Sequence, residues 1–165
     1  MRVGVGWDMH RLVPGRPLVL GGVTVPFPRG LEGHSDADAL CHALTDALLG
    51  AAAAGDIGCR FGVDDPARAG ASSLALLGEA WGSLRARGYR ILNLDATLLA
   101  EAPRLAPHLP GMVANLAAVL EVGRGRVSVK ATTAKGMGWI GAGEGIVCIA
   151  VAALAEPPGR AGEEG

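Results

Sequence analysis

The chain has 165 residues, half of them hydrophobic, with 15 basic against 16 acidic side chains and a formal net charge of −1. That length suits one domain with a core large enough to stand alone. A charge so near zero excludes the basic footprint that nucleic acid or an anionic membrane surface calls for, so a phosphate-bearing ligand has to be held by local groups.

The three cysteines, Cys41, Cys59 and Cys148, are far apart in sequence and form no CxxC pair. They argue against a disulfide framework and for a reducing compartment. No apolar signal core follows Arg2, and the longest apolar stretch, Gly145 to Ala155, falls short of the roughly 20 residues of a membrane span. A cytoplasmic protein without nucleic-acid or membrane partners is predicted.

Arg2 to His10 reads as a strand, with a turn at Pro14-Gly15. Pro17 to Val25 reads as a hairpin about Gly21-Gly22. Pro26, Pro28 and Gly30 then predict irregular chain as far as His34. Ser35 and Asp38 resemble a capping box, and the Ala/Leu-rich run from Asp36 to about Ala54 predicts a helix that ends at Gly55-Asp56-Ile57-Gly58. A second amphipathic helix is expected over Ser72 to Arg87, and a strand over Tyr89 to Ala100. A third helix starts at Pro103 or, more convincingly, near Pro110, and runs to Glu121. Strands follow over Val127 to Thr133 and Ile146 to Ala155, although the second is Ala-rich enough to pass for a helix. The whole predicts one α+β domain over residues 1–155, with a frayed Pro/Gly/Glu-rich tail over 156–165.

Alternation along a strand puts Asp8 and His10 on one face, where two ligands can converge on one ion. His42, one to two turns into the helix, can supply a third. One carboxylate and two imidazoles suit zinc and leave a coordination position open. The plainer reading is a hydrogen-bonded Asp8–His10 pair and an ordinary helix-face histidine. Asp38 and Asp46 lie one turn to either side of His42, so either can orient its second nitrogen; each is equally read as a cap or a solvated residue. His34 and Ser35, just before the helix, are placed where an anion is welcome. Gly136, Gly138, Gly141, Gly143 and Gly145 permit close backbone approach to a ligand, or form a flexible loop.

DMH at 8–10, GHSDADALCHALTDALLGAAAAGDIG at 33–58, AEAPRLAPHLP at 100–110 and KATT with GEG between 130 and 145 together resemble the 2-C-methyl-D-erythritol 2,4-cyclodiphosphate synthase family, from Arg2 to about Ala155. The resemblance implies a phosphorus-oxygen lyase of the non-mevalonate isoprenoid pathway. It would turn 4-diphosphocytidyl-2-C-methyl-D-erythritol 2-phosphate into the cyclic diphosphate and CMP. It implies a mixed β-sheet with helices on one face, sheets packed around a threefold axis in a homotrimer, and active sites between subunits.

Carried over by position, the resemblance makes Asp8, His10 and His42 zinc ligands, of which Asp8 and His10 also face the substrate. His34 and Thr133 become the catalytic pair that orients phosphates and stabilises the transition state. Ser35, Asp56 and Gly58 fall at contacts to the erythritol phosphate arm, and Ile57, Phe61 and Asp65 at further substrate contacts. The segment Ala100 to Ala106, through Ala100, Pro103, Arg104 (for a family Lys), Leu105 and Ala106, falls at the cytidine pocket with Thr132. Lys135 and Trp139 complete the substrate contacts. A second ion, Mg²⁺ or Mn²⁺, would bridge the substrate phosphates. Three positions depart from the family pattern: Lys135 stands where many relatives have Glu for that ion, Ala142 where many have Arg, and Val63 where an Asp is frequent and Asp64 or Asp65 can cover.

Two rival readings remain. In a zinc hydrolase the open position would activate water, with Asp56 as the only plausible base. In a ligand-binding or scaffold protein the fold would persist without turnover.

Overall fold

A computed structural model describes residues 1–62 and 70–157. β1 (Arg2–Pro14) runs four residues past the strand read from the sequence. β2 (Leu18–Leu20) and β3 (Val23–Val25) form the expected hairpin. The Pro-rich stretch that follows is not wholly irregular: β4 (Arg29–Leu31) pairs with the end of β1, Leu12 opposite Leu31. α1 (Ala39–Ala51) and the short α2 (Ile57–Phe61) come next. α3 (Ser73–Ala86) and β5 (Arg90–Leu99) lie within a residue or two of their predicted bounds. A 3₁₀ turn over Ala106–His108 leads into α4 (Leu109–Val119), which agrees with the later of the two helix starts. β6 (Val127–Thr132), one turn of helix α5 (Gly138–Gly141) and β7 (Gly145–Ala155) complete the chain.

The five-stranded sheet has the order β4-β1-β7-β5-β6, antiparallel except for the parallel β5–β6 pair. The Ala-rich β7 is held as a strand because β1 pairs along nearly all of one edge and β5 along the other. α1 lies along β1 and β7, α4 lies over β6, and α3 packs on α1 and α4. Leu40, Leu44 and Leu48 of α1 are buried in the resulting core, each contributing about 1.5–3 kcal/mol.

The approach of α1 to β1 is set by two glycines. A Cβ on Gly6 would stand 1.9 Å from the Ala43 carbonyl oxygen, and one on Gly4 2.2 Å from that of Ala47. Helix backbone thus rests directly on strand backbone, which places His42 above Asp8 and His10. Gly6→Ala is expected to cost about 3 kcal/mol, because the clash is with backbone rather than with a movable side chain. Chemical denaturation of the purified variant measures that loss.

The opposite face of β1 and β7 carries Val3, Val5, Trp7, Met9, Ile149 and Val151, and no helix among the described residues covers it; Val5 is 66% and Trp7 59% exposed. Of the tail, Glu156 is tied back to the Met1 amino group at 3.1 Å and to Arg2 at 3.5 Å, and residues 158–165 lie outside the described residues.

Candidate metal centre

The loop into α1 departs from the predicted capping box. Ala37 has a φ of 56°, which breaks helical phase between Ser35 and Asp38, so the helix starts only after Asp38. Asp38 Oδ1 accepts from Leu40 N and Cys41 N, both at 3.1 Å, while its Oδ2 accepts from Gly22 N at 2.8 Å. Asp46 accepts from Ile57 N at 2.8 Å and so anchors α2. Both carboxylates are thus occupied in positioning backbone, and neither is hydrogen-bonded to His42.

Asp8, His10 and His42 come together. Asp8 Oδ2 lies 2.9 Å from His10 Nε2 and 3.0 Å from His42 Nδ1, and the two nitrogens are 3.3 Å apart. Tetrahedral zinc with bonds of about 2.0–2.1 Å separates its ligands by about 3.3 Å, so a small inward cation fits with little movement. The ring nitrogens are also prepared for it. His10 Nδ1 is 2.6 Å from the Glu32 carbonyl, which can only accept, so Nδ1 carries the proton and Nε2 presents its lone pair. His42 is oriented the other way, with Nε2 2.8 Å from Ser73 Oγ and Nδ1 facing Asp8.

Burial by itself would raise the Asp8 carboxyl, but hydrogen bonds and charge from both imidazoles outweigh it and hold the carboxyl well below the usual carboxylate range. Burial would lower His10, yet the Asp8 carboxylate and the Glu32 carbonyl more than offset that and raise the imidazole above its ordinary value. The donor set is therefore an anion with proton-loving partners, the composition a divalent cation replaces a proton to enter.

His34 is exposed, on a loop pinned beside this cluster. Arg16 donates to the carbonyls of Gly33 at 2.8 Å and Ser35 at 2.6 Å, on either side of His34. A Cβ on Gly33 would lie 3.3 Å from His10 Cε1, so the loop runs against the imidazole. Arg16 was not singled out from the sequence, because a lone arginine after a turn resembles any surface cation. Arg16→Ala should reduce kcat/KM about tenfold while leaving bound metal unchanged, since it frees the loop but touches no ligand. Steady-state kinetics with metal analysis checks this.

Asp56 caps α2, accepting from Cys59 N at 2.7 Å, and that bond holds its carboxyl below the ordinary value. Ile57 and Gly58 lie in the first turn, while Phe61 is buried in the core at 5% exposure. Asp65, with Val63 and Asp64, lies outside the described residues.

A separate pocket of about 230 Å³ gathers Ala100, Glu101, Pro103, Arg104, Leu105, Ala106, Ala131, Thr132 and Thr133. Strand register locates it: Asp8 stands opposite Cys148, Cys148 opposite Leu98, and Leu98 beside Ala131. Pocket and metal cluster therefore share one end of the sheet, three strands apart, or about 14 Å. Thr133 Oγ1 accepts from Lys135 N at 3.3 Å, in a turn where Lys135 has a φ of 57°. Trp139 lies elsewhere, lining a cavity of about 450 Å³ with Met9, His10, Arg11 and Glu144. The glycine-rich segment around it contains the helical turn α5 rather than a loop alone. Among the described residues no helix is long and apolar enough to cross a membrane.

The sequence profile of the YgbB family matches residues 1–155. The 2-C-methyl-D-erythritol 2,4-cyclodiphosphate synthase of Laribacter hongkongensis is 57% identical over 154 residues, covering 93% of this chain and 95% of its own. A solved 2C-methyl-D-erythritol-2,4-cyclodiphosphate synthase in a CDP-bound form superposes with a TM-score of 0.85 at 39% identity, covering 93% of this chain and all of that one. The bifunctional IspDF of Campylobacter jejuni superposes with a TM-score of 0.89 at 38% identity, and 93% of this chain corresponds to 42% of that longer one.

Proposed function

The chain belongs to the YgbB family, that of the 2-C-methyl-D-erythritol 2,4-cyclodiphosphate synthases of the isoprenoid pathway, and from that premise we propose that it converts 4-diphosphocytidyl-2-C-methyl-D-erythritol 2-phosphate into the 2,4-cyclodiphosphate and CMP, as a cytoplasmic phosphorus-oxygen lyase. The observation that carries the reading is the three-ligand centre of Asp8, His10 and His42, with the His10 tautomer set by the Glu32 carbonyl, at the same sheet end as the pocket of residues 100–106 and Thr132–Thr133.

The reaction joins a 2-phosphate oxygen to the β-phosphorus as the bond from that phosphorus to the CMP oxygen breaks. Two anions must approach each other, so the protein's task is to neutralise charge and hold an in-line geometry. Zinc bound by the three ligands would supply a Lewis acid and template at its open position. His34 and Ser35, on the loop clamped by Arg16, are placed to hydrogen-bond the phosphates, and Thr133 to hold the diphosphate from the other side. Asp56, with Ile57 and Gly58 beside it at the head of α2, contacts the erythritol phosphate arm. The low position of the Asp56 carboxyl fits an acceptor better than the general base a zinc hydrolase needs. Ala100 to Ala106 with Thr132 hold the cytidine, and Arg104 supplies a cation beside its phosphate. When bound with the substrate, Mg²⁺ or Mn²⁺ would supply further positive charge, and the Lys135 ammonium would share that charge-neutralising role. Glu101, 3.5 Å from Gly136 N, puts a carboxylate beside that turn.

The bare apolar face of β1 and β7 supports a homotrimer packed sheet to sheet, because a contiguous patch of Val, Trp, Met and Ile is an interface rather than a solvated surface. Active sites between subunits fit a metal cluster and a nucleotide pocket that open separately on one chain. Zinc analysis with an assay of CMP release from the cytidyl substrate tests the reading. Bound zinc and released CMP are expected; zinc without CMP release would instead support a scaffold.

A further inference from the structure

Resting on the metal-centre reading, we propose that Ser73 and Asp36 are positioning residues that hold the His42 imidazole in the one tautomer able to bind metal through Nδ1. A neutral imidazole has one N–H and one lone pair. With the proton on Nδ1, His42 would turn an N–H toward Asp8 and His10 and close the site to a cation. The proton has to reside on Nε2, and the partner of Nε2 decides whether it does.

That partner is Ser73 Oγ, at 2.8 Å. A hydroxyl can be donor or acceptor, so Ser73 alone does not choose. Asp36 makes the choice: its Oδ1 lies in short hydrogen-bond contact with Ser73 Oγ, and a carboxylate only accepts. Ser73 therefore donates to Asp36, and His42 Nε2 donates to Ser73. Asp36 is fixed in turn by Ser73 N at 3.2 and 3.1 Å to its two oxygens and by Asp38 N at 3.3 Å. Ser73 is 1% exposed, so bulk water does not compete for the relay. Ser35 Oγ, 3.4 Å from Nε2 and 3.3 Å from Ser73 Oγ, is the more distant partner at that edge. The three members come from three places, the loop before α1, α1 itself and the first residue of α3.

A merely structural Ser73 would pin α3 to the loop through its backbone N–H, a bond that Ser73→Ala keeps. The hydroxyl can therefore be tested apart from the fold. Zinc affinity of the whole protein is measured by competition with a chromophoric chelator, alongside the visible spectrum of the Co²⁺ form and long-range ¹H–¹⁵N spectra of the His42 ring. Ser73→Ala should weaken zinc binding 10–100-fold, alter the cobalt spectrum and remove the protected Nε2–H signal, and Ser73→Thr should restore most of the affinity. Asp36→Asn keeps the shape with a weaker acceptor and should lose about tenfold, which decides the matter if Ser73→Ala does not fold. His42→Ala is run in parallel: retained zinc there would overturn the metal centre itself. Zinc lost in His42→Ala but unchanged affinity and spectra in Ser73→Ala, or in Asp36→Asn, would overturn the relay alone.

Discussion

His42→Ala should strip the protein of zinc and reduce cyclodiphosphate formation by about 10³-fold or more, while the fold survives. The magnitude follows from what is lost. Two ligands remain, and Asp8 and His10, already 2.9 Å apart, can satisfy each other as an ion pair with the metal gone. The phosphates then face each other without the cation that offsets their repulsion. The fold should persist because His42 stands on α1, where alanine has the highest helix propensity, and because the leucines of that helix hold the core. Metal content, product yield and circular dichroism of one preparation check the three parts together. Zinc and activity at the level of the unaltered protein would remove His42 from the centre.

Val5→Asp should abolish activity as completely, without touching any residue of the site. Val5 is 66% exposed on the bare sheet face, so a single chain can carry the carboxylate there in water. In a threefold assembly three such carboxylates meet in an apolar interface, where each unpaired charge costs several kcal/mol and repels the others. The expected result is sedimentation as a folded monomer that still binds zinc and yields no product. A variant that sediments as a trimer and turns over normally would show that this face is not the interface.

The elements with a strong periodic signal were legible: β1, the hairpin, α3, β5, β6 and β7 stand close to where alternation and helix propensity put them. The resemblance carried by DMH and the GHSDADALCHAL run gave the family, and geometry brought its three ligands to one point. What could not be read was set by tertiary contact. β4 has only three residues among prolines and exists because the end of β1 needs a partner. α1 starts only after Asp38 because Ala37 takes a positive φ, and the Asp38 cap is held in place by Gly22, 16 residues earlier. The same holds for the groups around His42. Spacing along a helix favoured Asp38 and Asp46, but both are spent on backbone, and Ser73 arrives from a helix 31 residues on. Arg16 was hidden likewise, since its role consists of two carbonyls that only the folded loop brings together.

The proposed reaction closes a ring between two phosphates of one substrate rather than delivering water to either. ³¹P NMR of the cytidyl substrate incubated with zinc-loaded protein and Mg²⁺ separates these outcomes. Ring closure gives CMP in equal amount with a cyclic diphosphate, its two phosphorus signals mutually coupled within the diphosphate range. CMP accompanied by the open-chain 2,4-bisphosphate, seen as two uncoupled phosphomonoester signals, would contradict it and identify water as the nucleophile.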